Sequence, residues 1–159
     1  MNTSLSNVLT EAQAMVDREA RGTHIQACSP RRVLLADDNL VILGLLKHMV
    51  SSSVPDIEID SAANGLEALS AFRDAHHAVV VTDVDMPVMD GCKAFEEIRK
   101  LCEDREWQMP SVVFCTASTL PEALRCMLAS ESCPHRLLMK PFGKDEFVRA
   151  VVERLAPAA

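Results

Sequence analysis

The chain has 159 residues, with 16 Lys and Arg against 23 Asp and Glu and a formal net charge of −7, a size that suits one domain plus a short appendage. At 48% hydrophobic and 25% charged residues it has the composition of a globular chain, and its acidic balance argues against a nucleic-acid-binding surface. No apolar run approaches the ~18 residues of a membrane span, and the opening "MNTSLSNVLTEAQAMVDREARG" lacks the basic n-region of a secretory signal.

Leu5, Val8, Leu9, Ala12, Val16 and Ala20 recur at helical spacing, which predicts an amphipathic helix over Ser4 to Arg21. An apolar stripe of this kind must pack on the domain or on a second copy, and self-association is the favoured expectation. "GTHIQACSPRR" reads as a linker, with Gly22 stopping the helix and Pro30 in a turn. The expected organisation is therefore an appendage over residues 1–31 and one domain over 32–159.

From Arg32 the pattern alternates. "RVLLADD" is a short apolar run ending in two acids, and "LVILGLLKHMVSSS" is long and helical in period. "DIEIDSAA" reads as a half-exposed strand, and "NGLEALSAFRDA" as a helix capped by Asn64. "AVVVTD" is a β-branched run too short for a helix, as in a buried parallel strand. "CKAFEEIRKLCED" is helical, "PSVVFCTAS" a fourth strand, "PEALRCMLASE" a helix with Pro121 in its first turn, "HRLLMK" a fifth strand and "KDEFVRAVVERLA" a last helix. Strands alternating with helices predict an open, doubly wound α/β sheet with both faces covered. Such sheets bind ligands at the carboxyl ends of their strands.

Those ends carry Asp37 and Asp38, Asp83, Thr116 and Lys140. Two carboxylates ~5 Å apart repel by about 3 kcal/mol at an effective dielectric of ~20. A divalent cation relieves this, and oxygen ligands with room for water suit Mg²⁺ or Mn²⁺ better than zinc. Lys140 and the Thr116 hydroxyl add a positive charge and a donor, so the rim suits a phosphoryl group. Asp83 is the natural nucleophile, because a carboxylate can accept a phosphoryl group as an acyl phosphate. Asp90 reads as a turn residue or cap, and Asp38 or Asn39 as a cap of the first long helix. The six cysteines form no CxxC pair, so they read as reduced thiols in a cytoplasmic protein rather than zinc ligands. The five histidines show no ligand spacing and read as surface or core residues.

"LLADDN", "VVVTDVDMPVMDG", "FCTAS" and "LLMKPF", in this order, resemble the receiver domain of two-component response regulators, over about Arg32 to Leu155. The resemblance implies a flavodoxin-like (βα)5 three-layer sandwich with a five-stranded parallel sheet in the order 2-1-3-4-5. It implies that Asp83 is the phosphoacceptor, that Asp38 ligates Mg²⁺ directly and Asp37 mainly through water, and that the backbone carbonyl of Asp85 is a further ligand. Thr116 and Lys140 would bind the phosphoryl group, Lys140–Pro141 would be a cis step, and Gly91 would relax the backbone where the loop enters the next helix.

The partners so implied are a histidine kinase or histidine phosphotransfer protein upstream and an effector protein downstream, with no direct nucleic acid and no membrane insertion. Leu137 stands where the family often has an aromatic switch residue. Asp85 and Ser118 occupy variable positions linked to phosphate lifetime. "TDVDMP" also resembles the Asp-x-Asp motif of haloacid-dehalogenase-type phosphatases, but there the closing acidic pair comes late in the chain. A phosphorylation-independent interaction domain is the other alternative.

Overall fold

Short apolar runs become strands and the longer periodic ones become helices, in strict alternation. The computed structural model describes residues 25–130 and 133–155; the helix expected over Ser4 to Arg21, and any self-association through it, lies outside them. The elements are β1 (Ser29–Ala36), α1 (Leu40–Ser53), β2 (Glu58–Ala62), α2 (Gly65–Ala75), β3 (His77–Asp83), α3 (Gly91–Arg105), β4 (Ser111–Thr116), α4 (Glu122–Leu128), β5 (Arg136–Met139) and α5 (Lys144–Leu155). The sheet order is β2-β1-β3-β4-β5, and every pairing is parallel. This is the doubly wound topology expected from the sequence.

Successive strand residues point to opposite faces, so each apolar run feeds two cores. Val33, Leu35, Val79 and Val81 pack with Leu43, Leu46 and Val50 of α1 and Phe147 and Val151 of α5. Leu34, Ala36 and Val80 pack with Phe72 of α2, Ile98 of α3 and Leu124 of α4. Phe72, Phe114 and Phe147 are fully buried, and truncating any of them to Ala costs about 3–5 kcal/mol.

Three helices begin on a side-chain cap. Asn39 accepts from Val41 N and Ile42 N, Asn64 from Glu67 N, and Asp90 from Lys93 N. Glu67 accepts Ala63 N–H at 2.8 Å, tying the residue before the cap to the first turn of the helix. Asn39, not Asp38, is thus the cap of α1, which leaves the Asp38 carboxylate free for the rim.

Two boundaries differ from the sequence reading. β1 starts at Ser29, inside the segment read as a linker, and Gln26 makes a parallel bridge with Trp107. Pro30 lies in β1 rather than in a turn; a register shift against β3 between Ser29 and Val33 accommodates a residue that cannot donate to the ladder. Pro121 is the N-cap position of α4 rather than part of its first turn.

Candidate functional site

Asp37 follows β1 directly and is 2% exposed. Its Oδ1 accepts Asn39 N–H at 2.9 Å and its Oδ2 accepts Lys140 Nζ at 3.1 Å. Asp83 ends β3 and is 9% exposed. Asp37, Asp38 and Asp83 each offer a carboxylate oxygen within 4.8 Å of the others. Lys140 Nζ also stands 3.6 Å from Asp83 Oδ2, while Lys140 N–H donates to Thr116 O at 2.8 Å and so locks the end of β5 onto β4.

Three carboxylates facing one ammonium leave an excess of negative charge. Burial pushes the Asp83 carboxyl up; Lys140 opposes this, the Asp37 charge adds to it, the Asp85 backbone N–H pulls down, and Asp38 adds a little more, with a net rise. Burial works against the Lys140 ammonium, but its bond to Asp37 and the Asp83 and Asp37 charges outweigh that, so it is held above its ordinary value. The set of oxygen donors fits a hard divalent cation with water in its remaining positions. Among the described residues, no other group of three His, Cys, Asp or Glu side chains gathers this closely.

The backbone around Asp83 is fixed from behind. Gly91 N–H donates to Val84 O at 2.9 Å, and a Cβ on Gly91 would stand 2.2 Å from Asp83 O. Glycine is therefore required here for close approach, not for the conformational freedom expected of it. The Lys140–Pro141 peptide is cis, as the resemblance implied.

Thr116 is fully buried at the end of β4. Its hydroxyl accepts Ser118 N–H at 3.0 Å and lies 3.2 Å from Ser118 Oγ. Ser118 Oγ in turn donates to Asp85 Oδ2 at 2.8 Å. The Asp85 side chain thus leans towards Ser118 and is not a member of the three-carboxylate cluster. Leu137 pairs with Phe114 across the sheet and packs beside the α2–α4 core. It lines a groove of about 370 Å³ with Ala117, Ser118, Leu120, Arg125 and Met139.

The Ser118–Asp85 bond was not legible in the sequence, which marked both positions as variable but gave no sign that they touch. Val88 was missed too. It lies two residues before Asp90 with φ 69°, 78% exposed, in a tight turn closed by Met89 N–H on Pro87 O at 2.8 Å. A β-branched residue there is strained.

A family model described as "Response regulator receiver domain" matches residues 33–152. The chain belongs to the response regulator receiver domain family. The protein-glutamate methylesterase/protein-glutamine glutaminase 3 of Hahella chejuensis is 33% identical over 111 residues, covering 70% of this chain and 30% of that relative. The regulatory protein AtoC of Escherichia coli is 33% identical over 123 residues, covering 77% of this chain and 24% of that relative. Among solved structures, the chemotaxis protein CheY4 of Vibrio cholerae matches with a TM-score of 0.60 at 27% identity, covering 79% of this chain and 98% of that one. The receiver domain thus spans 30% and 24% of the length of those two curated relatives. Two-component, phosphorylation-dependent signalling is consistent with these matches, and the five-stranded fold is that of the family. No described helix of the receiver is long and apolar enough to cross a membrane.

Proposed function

We propose that Asp83 accepts a phosphoryl group from a phosphohistidine of a histidine kinase or phosphotransfer protein, and that the phosphorylated chain signals by binding an effector protein. The observation that carries this reading is the Asp37–Asp38–Asp83 cluster with Lys140 Nζ against two of its members. An Asp83 carboxylate oxygen forms the new bond to phosphorus. The phosphorus–nitrogen bond of the donor breaks, its electron pair returns to the imidazole, and the imidazole takes a proton from solvent. Water attack on the acyl phosphate later returns Asp83 and inorganic phosphate.

Asp37, Asp38, Asp83 and the Asp85 carbonyl would hold Mg²⁺ or Mn²⁺, which would supply positive charge to the phosphoryl oxygens. Lys140 balances the charge that the phosphoryl group adds. The Thr116 hydroxyl, released from Ser118, donates to a phosphoryl oxygen. Leu137 then takes up the space that Thr116 vacates and carries the change to the face formed by α4, β5 and α5.

An apolar patch supports a protein donor rather than a small substrate. Leu40, Val41 and Leu45 of α1 are 70%, 81% and 52% exposed, on the helix that directly follows the acidic pair. Such a cluster on an otherwise polar rim marks an interaction site. The absence of CxxC pairs and the acidic balance fit a cytoplasmic domain that signals through proteins rather than nucleic acid. The acidic pair opening the domain, rather than closing it, favours this reading over a haloacid-dehalogenase-type phosphatase.

Acetyl phosphate with Mg²⁺ tests the proposal. One stoichiometric, hydroxylamine-labile adduct without turnover of p-nitrophenyl phosphate is expected. Multiple turnover of the ester would establish the phosphatase instead, and absence of any adduct would favour a phosphorylation-independent domain.

A further inference from the structure

At the end of the sheet opposite Asp83, the chain entering β1 is tied down residue by residue. Gln26 N–H donates to Glu106 O at 2.9 Å, and Gln108 N–H to Gln26 O at 2.8 Å. Cys28 N–H donates to Gln108 Oε1 at 3.2 Å, Ser29 N–H to His76 O at 2.8 Å and Ser29 Oγ to Ala75 O at 2.9 Å. Residues 26–29 therefore belong to the domain, and the point from which the preceding chain departs is fixed at Ile25.

Ile25 is 55% exposed and lines a groove of about 420 Å³ with Arg99, Cys102, Glu103, Glu106, Trp107 and Met109. The floor is apolar: Ile25, Cys102, Trp107 and Met109. The rim carries Arg99, Glu103 and Glu106, and the Arg105 guanidinium lies 5.0 Å over the Trp107 ring. Trp107 is held rigidly, stacked on His76 with ring centroids 4.4 Å apart.

We propose that this groove is the docking site of the chain's own residues 1–24, seated by the apolar stripe Leu5, Val8, Leu9, Ala12, Val16 and Ala20. The place where the segment joins the domain selects this occupant. The segment joins the domain at a residue that itself lines the groove. A tethered segment also avoids most of the entropy lost when two free molecules associate, and its effective concentration is of order millimolar. The stripe expected to drive self-association is then consumed within one chain, at the end of the sheet away from the phosphoryl site.

Trp107 is the chain's single tryptophan, so its fluorescence reads the groove in the full chain. With the segment docked, acrylamide quenching is low and unchanged on serial dilution. Val16→Asp with Leu9→Asp raises the quenching severalfold, while acetyl phosphate labelling at Asp83 is retained and shows that the fold is intact. Unchanged quenching in that double variant overturns the proposal. Quenching that rises on dilution of the wild-type chain also overturns it, because the occupant is then a second copy.

Discussion

Ser118 Oγ donates to Asp85 Oδ2 at 2.8 Å while standing 3.2 Å from Thr116 Oγ1, so one hydroxyl occupies both the loop carboxylate and the buried threonine. The bond holds the Asp85 carboxylate to one side of a pocket already crowded with negative charge. Ser118→Ala frees that carboxylate to repel an incoming phosphoryl group. Labelling of Asp83 from a small phosphodonor is then expected to slow severalfold, with recovery in Ser118→Ala combined with Asp85→Asn. An unchanged rate in the single variant would show that the bond does not govern access.

The two glycines Gly91 and Gly44 make opposite predictions from the same substitution. A Cβ on Gly91 meets Asp83 O at 2.2 Å, so Gly91→Ala displaces the backbone that aims Asp83, at a cost of about 1–3 kcal/mol, and lowers the labelling rate. A Cβ on Gly44, mid-way along α1, meets nothing within 4 Å. Gly44→Ala therefore stabilises by up to about 1 kcal/mol through helix propensity. Urea denaturation of both variants reads the two signs.

His135 gives the domain an acid-sensitive joint. Its Nδ1 accepts Val112 N–H at 3.0 Å, next to the β4–β5 pairing. Burial, then the Arg154 charge, holds the ring down at about 4. An unfolded imidazole takes its proton near 6.5, so between about pH 6.5 and 4 the unfolded chain binds more protons. The His135 contribution to stability should fall as pH drops through that window and level off below it. The full difference corresponds to about 3 kcal/mol, which solvent screening of this partly exposed ring reduces to about 1–2 kcal/mol. His135→Asn keeps an acceptor and should flatten the slope; an unchanged slope would place the titration elsewhere.

On the proposed reading, Leu137 sets how far phosphorylation moves the α4–β5–α5 face. Leucine can change rotamer, but it covers less area than tyrosine and lacks a polar tip. The two states then differ by a smaller packing term, so phosphorylation alone shifts the population only partly. Amide shifts along α4 and α5 should move part-way on phosphorylation, and further in Leu137→Tyr. A complete shift in the wild type, unchanged in Leu137→Tyr, contradicts this role.

Strand ends and caps were legible because they rest on local chemistry: Asn64 and Asp90 cap the helices they precede, and Asp83 and Thr116 close their strands. The start of β1 was not, because "CSPR" has no apolar alternation. What draws it into the sheet is tertiary: Ser29 is held by Ala75 and His76, residues distant in sequence. Asp60 falls in the stretch "DIEIDSAA", expected to be a half-exposed strand. It accepts from His77 Nε2 at 2.6 Å and Arg32 Nε at 2.7 Å, a pairing across strands that no one-dimensional spacing encodes. The Ser118–Asp85 contact was hidden for the same reason: it joins two loops that come together only once β3 and β4 are side by side.

On the proposed reading Asp83, with Lys140 Nζ 3.6 Å from its carboxylate and beside two further carboxylates, is the residue that carries phosphate. Intact-mass and peptide spectrometry after exposure to acetyl phosphate and Mg²⁺ tests it most directly. The wild-type chain should gain one phosphoryl group, mapped to Asp83, and Asp83→Asn should gain none under the same conditions while melting as a folded domain. A full stoichiometric adduct on folded Asp83→Asn would contradict the account.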